Sequence, residues 1–330
     1  MKIGILGASG AVGRQMIQCL EESELQVDEL KVFASERSAG QQILFNDEQL
    51  TLQVLKEEDL FDLDYVLGAV SNELSRQYYE MIQKTKAVYV DNSSAFRLLD
   101  EVPLVVPEIN GDDALNNKGL IANPNCSTII AMMALAPIER LSPVNEIYAA
   151  TYQAVSGAGN QGICELEEQI NDLHDGKPVK TAVFHRQIAY NCIASIGSFL
   201  DNGYTSEEMK MQNEGRKILH RQDLKVTCTC VRVPVYRSHS ICLNLQTQRK
   251  LELEEIYAAM EAFEGLQVFK DEVPTPLDTS DQNDVYVGRI RRDLCKENGL
   301  SLWCCGDQIR KGAAANAVGI IEYLEKKKTA

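Results

Sequence analysis

The opening stretch, MKIGILGASGAVGRQMIQCLEE, restricts the fold more than any other part of the chain. A short apolar run, KIGILG, leads into the loop Gly7, Ala8, Ser9, Gly10, Ala11, Val12 and Gly13, and an amphipathic stretch follows. The run has the length of a buried strand, and the stretch after it places apolar residues at helical spacing. Glycines at 7, 10 and 13 allow a tight strand-to-helix turn. They also let the backbone approach a pyrophosphate, which the helix N-terminus then holds. In this strand–turn–helix context the trio predicts a dinucleotide site. A glycine-rich turn without a ligand is the bland alternative.

The same alternation continues to about residue 125. ELKVFAS, DYVLGAV, AVYVDNS and GLIANPN read as strands, with NELSRQYYEMIQKT as a helix among them. Strands alternating with helices mean βαβ units and a parallel, doubly wound sheet. From about residue 143 the extended segments lengthen: VNEIYAATYQAV, LKVTCTCVRVPVY and SICLNLQTQ. Helical stretches, QGICELEEQINDLH and TSEEMKMQNEGRKILH, lie between them. That mixture predicts an α+β second domain on a mixed or antiparallel sheet. The final KGAAANAVGIIEYLEKKK reads as a helix whose small apolar half packs closely on a neighbour. The expected class is α/β, Rossmann-type at the N-terminus, with 330 residues giving room for about two domains.

Charge and cysteine usage narrow the function. A formal net charge of −15 argues against nucleic acid or an anionic membrane surface as partner. Ten cysteines are too sparse for a disulfide scaffold. Cys228 and Cys230 are two apart, Cys304 and Cys305 adjacent, and no C-x-x-C occurs, so no metal is expected. Glycines interrupt the apolar start before it reaches signal-peptide length, and no window approaches a membrane span. A reducing, cytoplasmic setting is the expectation.

Several residues then stand out. NPNCST puts Cys126 at the mouth of the helical run TIIAMMALAPIERL, where unpaired N–H groups and the helix dipole favour a thiolate nucleophile. The alternative is a small buried hydrophobe. After the second strand, Ser35, Arg37 and Ser38 suit the 2′-phosphate of NADP, whereas Glu36 suits the ribose hydroxyls of NAD. A polar surface loop would look the same. Ser94 and Arg97 of SSAFR fall at the C-terminal edge of the sheet, where a guanidinium fork can take a phosphate or carboxylate. Arg97 could equally be a surface residue beside Asp100. In VRVPV, Arg232 alternates with valines and so shares a strand with core residues, which calls for an anionic partner. His239, in a loop-like RSHS, is the best base candidate, since His174 and His220 each close a helical run. His185 has no assigned place. Thr205 and Glu208 fit a capping box. Glu207 and Lys210 are i,i+3 neighbours, either a surface pair or two groups pointing into a site.

Taken in order, GASGAVG, SERSAG, SSAFR, NPNCST, TYQAVSGAG, YTSEEMK, RVPV with His-Ser seven residues after its Arg, and KGAAANAV resemble the aspartate-semialdehyde dehydrogenases. The resemblance spans essentially the whole chain. It implies interconversion of L-aspartate 4-semialdehyde, phosphate and NADP⁺ with L-4-aspartyl phosphate and NADPH, on the way to lysine, threonine and methionine. It makes Cys126 the nucleophile that forms a thioester, which hydride then reduces. His239 becomes the general acid–base. Gln153, 27 residues after Cys126, orients the reacting groups. Arg232 would hold the substrate α-carboxylate and Glu207 its ammonium. Ser94, Arg97, Asn125 and Lys210 match the family's phosphate site, and Ser156, Gly157 and Asn316 its nicotinamide contacts. The implied domains are 1–125 with a returning 308–330 for NADP, and 126–307 for catalysis and dimerisation, in a homodimer or homotetramer. Glu36 departs from the pattern, having the wrong charge for a 2′-phosphate loop. One rival reading is an N-acetyl-glutamyl-phosphate reductase, which Glu207 opposes because acetylation removes the ammonium. The other is a non-catalytic dinucleotide-binding sensor or scaffold, which the presence of both Cys126 and His239 opposes.

Overall fold

The computed structural model describes residues 1–329. It divides into two units, one comprising Met1–Asn125 with the chain from Gly312 onward, the other Cys126–Lys311. The return to the first unit comes at Gly312 and not at 308. Gln308 stays with the second unit because its side chain bonds Ser238 and Ser156, and Arg310 bonds Asn283.

The first unit runs β1 (Lys2–Leu6), α1 (Ala11–Glu22), β2 (Glu29–Phe33), β3 (Gln42–Phe45), β4 (Glu48–Thr51), β5 (Tyr65–Gly68), α2 (Asn72–Ile82), β6 (Val88–Asp91), α3 (Pro107–Asn110) and β7 (Leu120–Ala122). Its sheet is parallel, in the order β2-β1-β5-β6-β7. Ile3, Ile5, Val32, Leu67, Val90 and Ile121 are buried, as expected for strands covered on both faces. Strand order reverses at β1, which opens a ligand crevice at the C-terminal edge there. The β3–β4 hairpin was not among the expected elements. Its turn is Asn46-Asp47, both left-handed with φ of 48° and 66°, as a two-residue primed turn requires.

The second unit contains α4 (Cys126–Leu141), β8 (Val144–Gln153), α5 (Asn160–His174), α6 (Ser206–Ile218), β9 (Lys225–Arg232), β10 (His239–Thr247), α7 (Leu253–Glu261), β11 (Leu266–Phe269), α8 (Pro276–Thr279), β12 (Val285–Arg292) and β13 (Gly299–Gly306). Its six strands order as β11-β12-β13-β10-β8-β9, with β8–β9 and β11–β12 parallel and the others antiparallel. Helix α4 is apolar on all sides and buried from Ser127 to Ile138, lying against β8, β10, β12, β13, α6 and α7. Ile129, Ile130, Met132, Met133, Leu135 and Ile138 are each fully buried. At roughly 1.5–3 kcal/mol apiece, their burial contributes on the order of 10 kcal/mol to fixing the helix. Its first residue, Cys126, is fixed with it. A π-helical turn, Arg310–Ala314, leads into α9 (Ala315–Thr329), which packs on α1 and α3 of the first unit. No described helix is long and apolar enough to cross a membrane.

Candidate active site

Asn123-Pro124-Asn125 stays outside the helix because the residue before a proline is pushed out of the α region. The helix therefore begins at Cys126 itself, which is partly exposed. Its Sγ lies 3.5 Å from Nε2 of His239. Contrary to the loop expected from RSHS, His239 opens β10, opposite Gly306, and is fully buried. Ser238 before it has a φ of 70°, and this left-handed residue turns the chain into the strand. Nδ1 of His239 accepts the N–H of Ala154 at 3.1 Å. A ring that accepts at Nδ1 carries its proton on Nε2, so the N–H of the neutral imidazole faces the sulfur. Burial, and next the Arg232 cation, push the ring's pKa down to about 3, with Glu207 acting in the opposite direction. The ring is neutral at pH 7.

Arg232 ends β9 and is buried. It shares its face of the strand with Cys228 and Cys230, both buried, and alternates with Val231, which points to the other face. Nη1 donates to the carbonyl of Ala154 at 2.6 Å. Burial lowers the guanidinium's pKa, and the nearby Cys126 and Glu207 oppose that shift. Ala154 thus binds the histidine through its N–H and the arginine through its C=O. No side-chain signature marks such a residue, and sequence reasoning missed it. Gly157 permits the arrangement. A Cβ there would stand 2.7 Å from Arg232 Nη1 and 3.4 Å from His239 Cε1. Gln308 was missed too: it accepts the N–H of Ser238 at 2.7 Å and donates to Ser156 Oγ, tying the two loops together.

Gln153 ends β8 and is buried. Its amide accepts from Thr151 Oγ1 at 3.0 Å and donates to Glu207 at 3.3 Å. Glu207 in turn pairs with Lys210 at 2.7 Å, with only 10% of its side-chain surface exposed. The pair therefore turns inward, toward Gln153. Glu208 has a structural task, closing a capping box with Thr205 and accepting the N–H of Cys230 at 3.0 Å.

In the first unit the three glycines divide their work. Gly7 has a φ of 79°, and a Cβ on it would meet Ala69 O at 2.3 Å; one on Gly13 would meet Gly7 O at 2.2 Å. A Cβ on Gly10 would meet only Gly7 O, at 3.3 Å. Gly10 is exposed, and α1 has no side-chain cap and no acidic residue in its first turn. Gly7 and Gly13 build the turn, and Gly10 leaves the helix end open to a pyrophosphate. After β2, Ser38 N–H bonds Ser35 O at 2.9 Å in an exposed turn. Among the described residues Arg37 has no ion-pair partner there, which suits a 2′-phosphate. Ser94 exchanges hydrogen bonds with Asn72 at the start of α2. Arg97 is not the surface residue beside Asp100 that it could have been. It is buried, donating to the carbonyls of Asn123 and Asn92 at 2.9 Å each. Asn125 is buried and precedes Cys126 directly. Asn316, expected at the nicotinamide, is fully buried, and its amide donates to Val105 O and Asn123 Oδ1. That makes it a lock between α9 and the sheet edge. Ser94, Arg97 and Asn125 belong to the first unit, Lys210 to the second.

Residues 2–117 match the family model described as the semialdehyde dehydrogenase NAD binding domain, and 135–311 match the semialdehyde dehydrogenase dimerisation domain. The aspartate-semialdehyde dehydrogenase of Synechocystis sp. is 43% identical over 328 residues, covering 98% of this chain and 97% of that protein. The Bacillus subtilis protein of that name is 40% identical, covering 99% and 98%. Among solved structures, aspartate semialdehyde dehydrogenase II of Vibrio cholerae superposes with a TM-score of 0.97 at 41% identity, covering 98% of each chain. The same Vibrio cholerae protein has been solved in complex with ASA.

Proposed function

The chain belongs to the semialdehyde dehydrogenase family, among the aspartate-semialdehyde dehydrogenases, and from that premise we propose its reaction and the residues that carry it. The reaction is reversible reduction of L-4-aspartyl phosphate to L-aspartate 4-semialdehyde, with NADPH as reductant. The carrying observation is Cys126 Sγ at 3.5 Å from Nε2 of His239, whose Nδ1 accepts the Ala154 N–H and so leaves the proton on Nε2.

Cys126, at a helix N-terminus and facing an N–H donor, is set to ionise. Its thiolate attacks the acyl carbon, the bond to the phosphate oxygen breaks, and phosphate leaves with the electron pair. A thioester remains on Cys126. When NADPH is bound, it would supply the hydride that reduces this thioester. Return of the thiolate then releases the aldehyde. Throughout, His239 donates from Nε2, first to the thiolate and then to the carbonyl oxygen as negative charge builds there. Accepting a proton at Nε2 requires the other tautomer, with Nδ1–H turned against the Ala154 amide. The expected acid–base role is therefore weighted toward donation.

Arg232 has one Nη1 bond to Ala154, and among the described residues its Nε and Nη2 edge is uncommitted. That edge fits the substrate α-carboxylate bidentately. Glu207 takes the ammonium, and Gln153 keeps Glu207 in place. Ser94, Arg97, Asn125 and Lys210 serve the phosphate. The loop from Gly7 to Gly13, with Ser156 and Gly157, holds the dinucleotide, and Ser35, Arg37 and Ser38 hold the 2′-phosphate. Glu36 weakens that preference by repulsion. The dimerisation domain supports a homodimer as the working state, and the cysteine pattern a cytoplasmic one.

The test is reduction of NADP⁺ by L-aspartate 4-semialdehyde with and without phosphate, NAD⁺ and the N-acetylglutamate semialdehyde being run in parallel. Phosphate-dependent turnover of the unacetylated substrate, faster with NADP⁺, is expected. Turnover of the acetylated substrate alone, or none from protein that binds NADPH, would replace the reading with one of its rivals.

A further inference from the structure

From Asp175 to Thr205 the chain runs without helix or strand, close beside Arg232. A segment of that length needs anchors to hold one shape. Two buried polar side chains one turn apart on α5 provide them. Glu165 accepts the backbone N–H groups of Ala182 at 3.0 Å, Val183, and Phe184 at 3.4 Å. Gln169 Oε1 accepts those of Ile188 at 2.8 Å and Ala189 at 3.0 Å, and Nε2 donates to Glu165 at 3.0 Å and Lys180 O at 2.9 Å. Among the described residues no lysine or arginine pairs with Glu165. A buried carboxylate is thus satisfied by amides alone, an arrangement that no apolar residue could replace without orphaning three N–H groups.

What these anchors hold is the surroundings of Arg232. The Phe184 ring centroid lies 5.9 Å from the guanidinium carbon of Arg232. Ile193 exchanges both backbone hydrogen bonds with Arg232, at 2.9 and 2.8 Å. A Cβ on Gly162 of the same helix would stand 3.2 Å from Phe184 Cζ, so α5 packs directly on the ring. Val155, Leu166, Phe184, Ile188, Ala189 and Ile193 form one small apolar cluster.

We propose that Glu165 and Phe184 are positioning residues for substrate recognition. Glu165 gathers the 182–184 amides, which seats the Phe184 ring against Arg232. The ring attracts the cation and keeps water from that side of it, leaving the Nε and Nη2 edge as the direction in which a carboxylate is met. The inference rests on Arg232 being the carboxylate ligand.

The experiment measures substrate, cofactor and phosphate KM, and kcat, for Phe184→Leu, Glu165→Gln, the double variant, and Arg232→Lys. Phe184→Leu is expected to raise the KM for aspartate semialdehyde roughly three- to tenfold, with kcat and the cofactor KM within about twofold. Glu165→Gln moves the same constant, and the double variant is no worse than the worse single one, since both act through one contact. Phe184→Tyr, which keeps the ring, recovers most of the loss. If Arg232→Lys raises that KM but Phe184→Leu does not, this inference fails and the role of Arg232 stands. If Arg232→Lys leaves it unchanged, the role of Arg232 fails first. A lowered melting temperature for Glu165→Gln with an unchanged KM would mark Glu165 as a loop anchor only.

Discussion

Acid should destabilise the second unit through His239, by an amount that the burial of one ring sets. The folded ring has its pKa lowered from 6.5 to about 3. Between those values the unfolded chain binds a proton that the folded one does not, so stability falls as pH falls. The contribution is complete above pH 6.5 and is lost progressively from there toward pH 3. At about pH 5 the loss relative to about pH 7 is about 2 kcal/mol, at about 1.4 kcal/mol per pH unit crossed. His239→Gln removes this term while its amide oxygen can still accept from Ala154. Urea unfolding of both proteins at the two pH values isolates it, because the titrating groups remote from the ring cancel in the difference. The chain's single tryptophan, Trp303 on β13, makes fluorescence a probe of the second unit. The wild type should lose about 2 kcal/mol more than the variant. Equal losses in the two proteins would refute the account of a buried, neutral ring.

Three substitutions test separate parts of the site. Cys126→Ala should abolish turnover while NADPH binding, followed by fluorescence, is retained; loss of both would contradict the division of labour between the units. Gly157→Ala brings a Cβ to 2.7 Å from Arg232 Nη1. It should raise the substrate KM by roughly tenfold or more in a protein that still folds, as expected for a displaced binding group. Gly13→Ala places a Cβ 2.2 Å from Gly7 O and 2.7 Å from Ala8 Cα, both backbone atoms that cannot swing away. It should cost the first unit roughly 2–4 kcal/mol and its dinucleotide binding, with the unfolding of the second unit, read at Trp303, unchanged.

What could be read from the sequence follows from what side chains alone encode. The strands β1, β5, β6 and β7 are legible because burial makes them short, mainly apolar runs, and the edge strand β2 because Leu30, Val32 and Phe33 are apolar between the charged Glu29 and Lys31 and a polar loop. The hairpin β3–β4 is half exposed and joined by Asn46-Asp47, a primed turn without the glycine that usually announces one. Cys126 stands out because a proline before it and an apolar run after it fix where the helix must begin. His239 stands out as a base candidate but its strand does not, since RSHS has loop composition; its place at the head of a strand depends on the left-handed Ser238 and on pairing with β13. Ala154 and Gln308 were invisible for a related reason. The first acts through its peptide group and the second through partners 70 and 152 residues away in the chain. The alternation that assigned Arg232 to a buried face was sound, but its companions on that face are cysteines, which sequence reading had treated separately.

The central claim is that Cys126 is acylated by its substrate with loss of phosphate. Its most direct test is to mix the enzyme with L-4-aspartyl phosphate in the absence of NADPH, measure phosphate released in the first turnover, and locate the acyl group by mass spectrometry of peptides. The account predicts a burst of about one phosphate per subunit, with the acyl group on the peptide carrying Cys126 and no burst in Cys126→Ala. Phosphate release only when NADPH is present, or an acyl group on another residue, would contradict it.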